Sequence, residues 1–143
     1  MSETRKGFTL LEAMVLICIT GMLLGIAGLA MVHRSPRYHL DKAAWEIYSR
    51  LNQARFRAVL QHRKVKVTFT STGYIMEEFD EEAGNWKKFN SRTLEAVKVE
   101  ANNTPIFHPR GTVSNLASIY VSNSGGRVRI SLAMSGRLKV IPM

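Results

Sequence analysis

Between Ala13 and Val32 the sequence runs for 20 residues without a charge, and no other feature limits the possible folds so strongly. As a helix rising about 1.5 Å per residue, the run spans about 30 Å, the thickness of a bilayer's hydrocarbon core. Arg5 and Lys6 precede it, and His33, Arg34 and Arg37 follow. A short basic leader favours a cytoplasmic amino terminus, whereas the cations after the run pull the other way. What remains, Arg34 to Met143, suffices for one domain around one core.

That remainder is basic. It holds 18 Lys and Arg against 9 Asp and Glu, which accounts for the whole net charge of +9. Such an excess suits polyanions such as nucleic acid, anionic headgroups or an acidic protein, and it equally suits a basic surface with no partner. The one cysteine, Cys18, lies in the apolar run. With no second thiol there is no internal disulfide, so the domain must hold by its core alone.

Ser35-Pro36 predicts a break where the chain leaves the apolar run. Leu40, Ala44, Ile47, Leu51, Ala54 and Ala58 then recur every three or four residues, which predicts an amphipathic helix over about 39–62. Its other face reads as polar, with Glu46 four residues before Arg50. His62-Arg63-Lys64 closes it with positive charge, suited to the negative end of the helix dipole. Beyond it the period changes to two. Val65, Val67 and Phe69 alternate with polar residues, Ser71-Thr72-Gly73 turns the chain, and Tyr74–Phe79 returns. A second turn at 81–85 leads to Trp86–Phe89, and further strands are expected at about 94–100, 117–122, 127–132 and 137–141. A long helix followed by antiparallel strands is an α+β arrangement, with strands over about 64–141.

Catalytic chemistry finds no constellation here. The sequence has no phosphate loop, nucleophile elbow or paired His and Cys at metal-ligand spacing, so neither enzyme activity, cofactor nor metal is expected. The acidic cluster Glu77, Glu78, Asp80, Glu81 and Glu82 lacks the spacing of a calcium loop and reads as a solvated hairpin tip. The cations near the end are more informative. If Ile130 and Leu132 share a buried face with Leu138 and Val140, the hairpin must set Lys139 beside Ser131 and Arg129 beside Ile141. Arg127, Arg129, Arg137 and Lys139 then gather on one exposed face suited to backbone phosphates. A charged face on an edge hairpin also discourages strand-to-strand aggregation, and both readings stand.

The segment before the apolar run, Arg5-Lys6-Gly7-Phe8-Thr9-Leu10-Leu11-Glu12, resembles the leader of type IV prepilins and type II secretion pseudopilins. The C-terminal third resembles the GspH/FimT group of that class. There Ile106-Phe107-His108-Pro109-Arg110-Gly111-Thr112 matches a Phe-x-Pro-x-Gly turn, and Ser135-Gly136-Arg137-Leu138-Lys139 matches a final strand opened by Gly-Arg. The resemblance implies a pilin-like α+β fold: a leader over 1–7, a membrane and assembly helix over 8–33, and a periplasmic head over 34–143. It implies that a prepilin peptidase cuts between Gly7 and Phe8 and methylates the new Phe8 amine. Glu12 of one subunit would then meet the Phe8 amine of its neighbour, setting the register of assembly. A carboxylate at the edge of an apolar helix needs such a partner, unless it sits at headgroup level in water. Gly21, Gly25 and Gly28 let helices approach closely, or are simply tolerated in an apolar helix.

Implied partners are other pilin or pseudopilin subunits, the prepilin peptidase and the bacterial inner membrane, which a single helix crosses before the subunit enters a filament. The FimT branch is associated with capture of double-stranded DNA in natural transformation through a terminal Gly-Arg-x-Arg, which makes the four C-terminal cations candidate DNA contacts. Three departures from the family pattern matter. Ala27–Ala30 lacks the proline of many major pilins, Arg110 replaces a common acidic residue, and Lys139 stands where the DNA-binding pattern has an Arg with its bidentate fork. The resembled role is a minor pilin that incorporates into or primes a type IV pilus-like filament. The alternative is a minor pseudopilin of a type II secretion system.

Overall fold

The computed structural model describes residues 9–33 and 35–143, so the leader with Gly7, and Phe8 after it, lie outside the described residues. The chain divides into two units, Met1–Arg34 and Ser35–Met143. In the first, helix α1 covers Leu10–His33. Thr9 starts it, its Oγ1 accepting the Glu12 backbone N–H at 3.2 Å, which satisfies one of the helix's orphan donors. Gly21 and Gly25 lie inside it with open space where a Cβ would stand.

In the second unit, α2 covers Pro36–Gln61. It begins three residues before the periodicity indicates, because the proline starts the helix rather than interrupting it. Ser35 is extended (φ −65°, ψ 128°), and Pro36 occupies the first turn, where its missing N–H costs nothing. His62, at φ 52°, ends it in the left-handed conformation. All six residues of the expected apolar stripe are buried, joined by Ala43. Four alanines in that stripe (Ala43, Ala44, Ala54 and Ala58) let α2 lie close against the strands beneath it.

Those strands form two sheets rather than one. The first has the order β3-β2-β1-β5-β6, from β1 (Val65–Thr70), β2 (Gly73–Asp80), β3 (Asn85–Thr93), β5 (Ile106–Phe107) and β6 (Val113–Ser114). The second has the order β4-β7-β8-β9, from β4 (Lys98–Ala101), β7 (Ser118–Asn123), β8 (Gly126–Leu132) and β9 (Leu138–Pro142). Every described pairing is antiparallel. α2 lies across both sheets, touching β1 and β5 of the first and β7, β8 and β9 of the second. The core is one cluster, from Leu40 on α2 to Leu132 on β8. All of it lies within Ser35–Met143, so the head carries its own core, the condition for folding as a unit by itself.

Several expected strands shift. The strand expected at 94–100 begins only at Lys98, because Ala96 turns left-handed at φ 57° and Leu94 bonds back to the Thr72 carbonyl at 2.7 Å. The strand expected at Trp86–Phe89 runs from Asn85 to Thr93. A register shift at Met76/Glu77 leaves Phe89 unpaired in it, on the helix side, where the Arg57 guanidinium stacks 4.0 Å from its ring centre. Arg57 also holds Glu78 through two bonds of 3.0 and 2.8 Å. Glu46 does not pair along the helix with Arg50. It reaches Arg92 at 3.3 Å and accepts from the Tyr74 hydroxyl at 3.1 Å.

Candidate functional site

Three surfaces stand out, two of which hold the residues singled out by the sequence. The first is α1. Its side chains from Leu10 to Ala27 are exposed within the molecule, and among the described residues it is the one helix long and apolar enough to cross a bilayer. Glu12 sits in its first turn, exposed, with no ion-pair partner among the described residues. The pattern Thr9-x-x-Glu12 is the sequence signal for the cap observed at Thr9, a role the motif comparison passed over.

The second surface is the side of α2 turned away from the sheets. Trp45, Phe56 and Leu60 are 64 %, 67 % and 77 % exposed, and Val59 is exposed beside them. At 100° per residue, Trp45, Ser49, Asn52, Phe56, Val59 and Leu60 fall within an arc of about 100° that contains no charge from Trp45 onward, with Asp41 and Lys42 at its two edges one turn earlier. The sequence reading took this face as polar; α2 instead has large apolar side chains on two faces, the second mixed with Ser49, Asn52 and Lys42. One is covered by the sheets and the other is bare.

The third surface is the outer face of the second sheet. β8 and β9 pair Arg129 with Ile141 and Ser131 with Lys139, the register required to keep Ile130, Leu132, Leu138 and Val140 on the inner side. Arg127, Arg129 and Lys139 therefore point outward, with Arg137 exposed in the turn before β9. They are not equivalent. Arg127 stacks 4.4 Å from the Tyr120 ring centre and lies 3.4 Å from Glu100, which Lys98 also holds at 2.8 Å. The Lys98 hydrogen bond keeps the Glu100 carboxyl below its usual range, so it stays charged and partly neutralises Arg127. Arg129, Arg137 and Lys139 have no carboxylate partner among the described residues, and the Arg129 Nε is buried without a hydrogen-bond acceptor.

Gly136 sets the position of Arg137. Its φ of 76° is left-handed, and a Cβ there would stand 2.7 Å from the Arg55 Nε. Arg55 reaches from α2 to the Gly136 carbonyl at 3.4 Å. The Val113 N–H bonds the Met134 carbonyl at 2.9 Å, so the two C-terminal motif segments, around Arg110 and around Arg137, sit side by side. Nothing in the local sequence signals Arg55, since its contact is made 81 residues away.

Comparison with known proteins agrees with this architecture. The model of a family described as type II transport protein GspH matches residues 43–136. Over 96 % of its length the chain is 31 % identical to pilin-like protein PilA1 of Thermus thermophilus, covering 99 % of that protein. Among solved structures, the minor pseudopilin EpsH of the Vibrio cholerae type 2 secretion system is similar with a TM-score of 0.64 at 16 % identity, covering 73 % of this chain and 97 % of that one. The type IV minor pilin FimU of Pseudomonas aeruginosa has a TM-score of 0.61 at 18 % identity, covering 74 % and 90 %. At these identities the structural matches speak for the fold.

Proposed function

Because this chain belongs to the family of type II transport protein GspH, we propose that it is a minor subunit that packs its helices into a type IV pilus-like filament and helps to prime it. The family is one of structural pilin and pseudopilin subunits rather than enzymes. One observation carries the reading: the uncharged stripe of Trp45, Phe56, Val59 and Leu60 lies on the side of α2 that the head leaves bare. A soluble head gains nothing from three large apolar side chains aligned in water. Burial against neighbouring helices would stabilise the assembly by about 1.5–3 kcal/mol for each large apolar side chain.

Before assembly, α1 holds the subunit in the inner membrane with the head in the periplasm. The prepilin peptidase cuts between Gly7 and Phe8, and the methylated Phe8 amine of one subunit meets Glu12 of the next. Support for that contact comes from the exposure of Glu12 in the first turn of an otherwise apolar helix, where a carboxylate gains most from an external cation. The test is Glu12→Ala in the full chain. Leader cleavage is expected to continue while the subunit disappears from the sheared filament fraction; normal incorporation would remove Glu12 from the account.

A second reading is favoured by the outer sheet face. Arg129, Arg137 and Lys139, with Arg127 beside them, make it suited to the phosphates of double-stranded DNA. Fluorescent duplex titrated with the head at several salt concentrations should bind more weakly as salt rises, and weakly throughout for an Arg137→Ala, Lys139→Ala variant. Absence of binding at low salt would leave the charge without that role. The alternative of a type II secretion pseudopilin is supported by the family match, and a deletion strain that loses secretion but keeps pili and transformation would establish it.

A further inference from the structure

β9 is an open edge of the second sheet. The Met143 N–H bonds the Arg127 carbonyl at 2.9 Å, and at the other end of the ladder the Ala133 N–H bonds the Arg137 carbonyl at 2.9 Å. Bonded pairs alternate in an antiparallel ladder, so Ile141 and Lys139 also exchange their bonds with β8. The backbone groups of Leu138, Val140 and Pro142 therefore point away from β8, toward solvent. Pro142 has no N–H to offer, which blunts that end of the edge. The amides of Leu138 and Val140 remain as donors without a partner among the described residues, alongside the carbonyls of all three.

Side chains flank this edge in a way that edge protection does not explain. Leu138 and Val140 are half-buried on the inner face. Beside Val140 and Pro142 runs a groove lined also by Ala44, Trp45, Arg37 and Asp41 of α2. Trp45 thus stands exposed over the place where the inner-face side chains of a further strand would lie.

We infer that β9 is a docking edge for an extended segment of a different polypeptide, apolar at alternate positions and carrying carboxylates between them, added as a fifth strand beneath Trp45. Backbone amides in a row require a peptide partner, and the apolar roof calls for alternating apolar side chains. Charge decides whose peptide it is. Lys139, Arg129 and Arg137 flank the edge on its outer side. A second copy of this chain would offer β9 with Lys139, β3 with Lys87, Lys88 and Arg92, β4 with Lys98 beside Glu100, or the two-residue β6. Its β9 and β3 set like charges across the new pair, which is destabilising; the Glu100 carboxylate of β4 is already held by Lys98 and Arg127, and β6 is too short to pair along β9. An acidic segment from another chain is the complement. This inference shares Trp45 with the packing face and Lys139, Arg129 and Arg137 with the DNA reading, but its test uses the head alone and reads the Leu138 and Val140 amides, which neither of those readings involves.

The test is a titration of the head, Ser35–Met143, with a capped ten-residue peptide of alternating valine and glutamate, followed by fluorescence anisotropy. Val140→Pro removes one edge donor without touching a bond to β8, and Val140→Ala removes side-chain bulk while keeping the donor. The proline variant should bind at least tenfold more weakly than the alanine variant, and Trp45→Ser should weaken binding severalfold. Hydrogen exchange on the unaltered head supplies a readout free of any folding defect: the Leu138 and Val140 amides should exchange at least tenfold more slowly with saturating peptide. Equal binding by the two Val140 variants, unchanged exchange at those amides, or no binding at millimolar peptide overturns the proposal. A dimer of the unaltered head in sedimentation that Val140→Pro abolishes also overturns it, by making the partner a second copy.

Discussion

Replacing Gly136 by alanine separates backbone strain from crowding, because a second glycine provides the reference. Gly136 has φ 76° and Gly84 has φ 64°, so each holds a conformation that costs an L-residue about 1–2 kcal/mol. The restriction alanine places on the unfolded chain returns about 0.4–1 kcal/mol. At Gly84 nothing lies within 4 Å of the new Cβ, leaving a net loss of about 0–1.6 kcal/mol. At Gly136 the Cβ would lie 2.7 Å from the Arg55 Nε and 3.0 Å from its Cδ and Cζ. Arg55 must then withdraw from the Gly136 carbonyl, and losing a hydrogen bond from a half-buried cation costs about 1.5–3 kcal/mol more. For a domain of this size, roughly 4 °C of midpoint accompanies each kcal/mol. Thermal unfolding of the head by circular dichroism should therefore place Gly136→Ala about 6–12 °C below Gly84→Ala. Midpoints within 2 °C of each other would refute the claim that Arg55 fills the space Gly136 leaves.

Other perturbations follow from the same contacts. Burial holds the Tyr74 phenol above its usual range, opposed by Arg50 and reinforced by the neighbouring Glu46 carboxylate. The raised value means that the folded state keeps the proton longer than the unfolded chain. Its contribution is full below about pH 10 and is lost as pH climbs through the folded value. Denaturant midpoints should therefore fall as pH rises above about 10 in the unaltered head and fall less in Tyr74→Phe. On the outer sheet face, Arg127 shares its charge with Glu100 whereas Arg137 does not. Arg137→Ala should accordingly lower duplex affinity at 50 mM salt by a larger factor than Arg127→Ala, and equal losses would show that the Glu100 pair leaves Arg127 unaffected.

How much of this was legible in the sequence differs by feature, for physical reasons. The buried stripe of α2 was readable because six apolar residues repeat at helical spacing, and the sheets cover those same six. The β8–β9 register was readable because period-two side chains on both strands allow only one pairing that keeps Ile130, Leu132, Leu138 and Val140 inside. The second apolar face of α2 was not. Ser49 and Asn52 interrupt the stripe of Trp45, Phe56 and Leu60, and along the chain those three stand among Glu46, Arg50, Arg55 and Arg57. The four charges proved to be turned elsewhere: Glu46 toward Tyr74 and Arg92, Arg50 toward Gln53, Arg55 toward Gly136, and Arg57 toward Glu78. Each partner beyond the helix lies at least 21 residues away, beyond any local pattern. β5 and β6 escaped because strands of two residues are too short to show alternation. Without them the division into two sheets is invisible. The open edge of β9 likewise required the sheet order, which no single strand carries.

The most direct test of the central claim, that the bare face of α2 is an assembly surface, is a Phe56→Ser, Leu60→Ser variant of the full chain measured in the sheared filament fraction. Both side chains are largely exposed, so the head's stability should change by less than about 0.5 kcal/mol for each substitution. With cleavage and stability intact, the variant should be depleted from filaments at least tenfold. Incorporation equal to that of the unaltered chain would contradict the account.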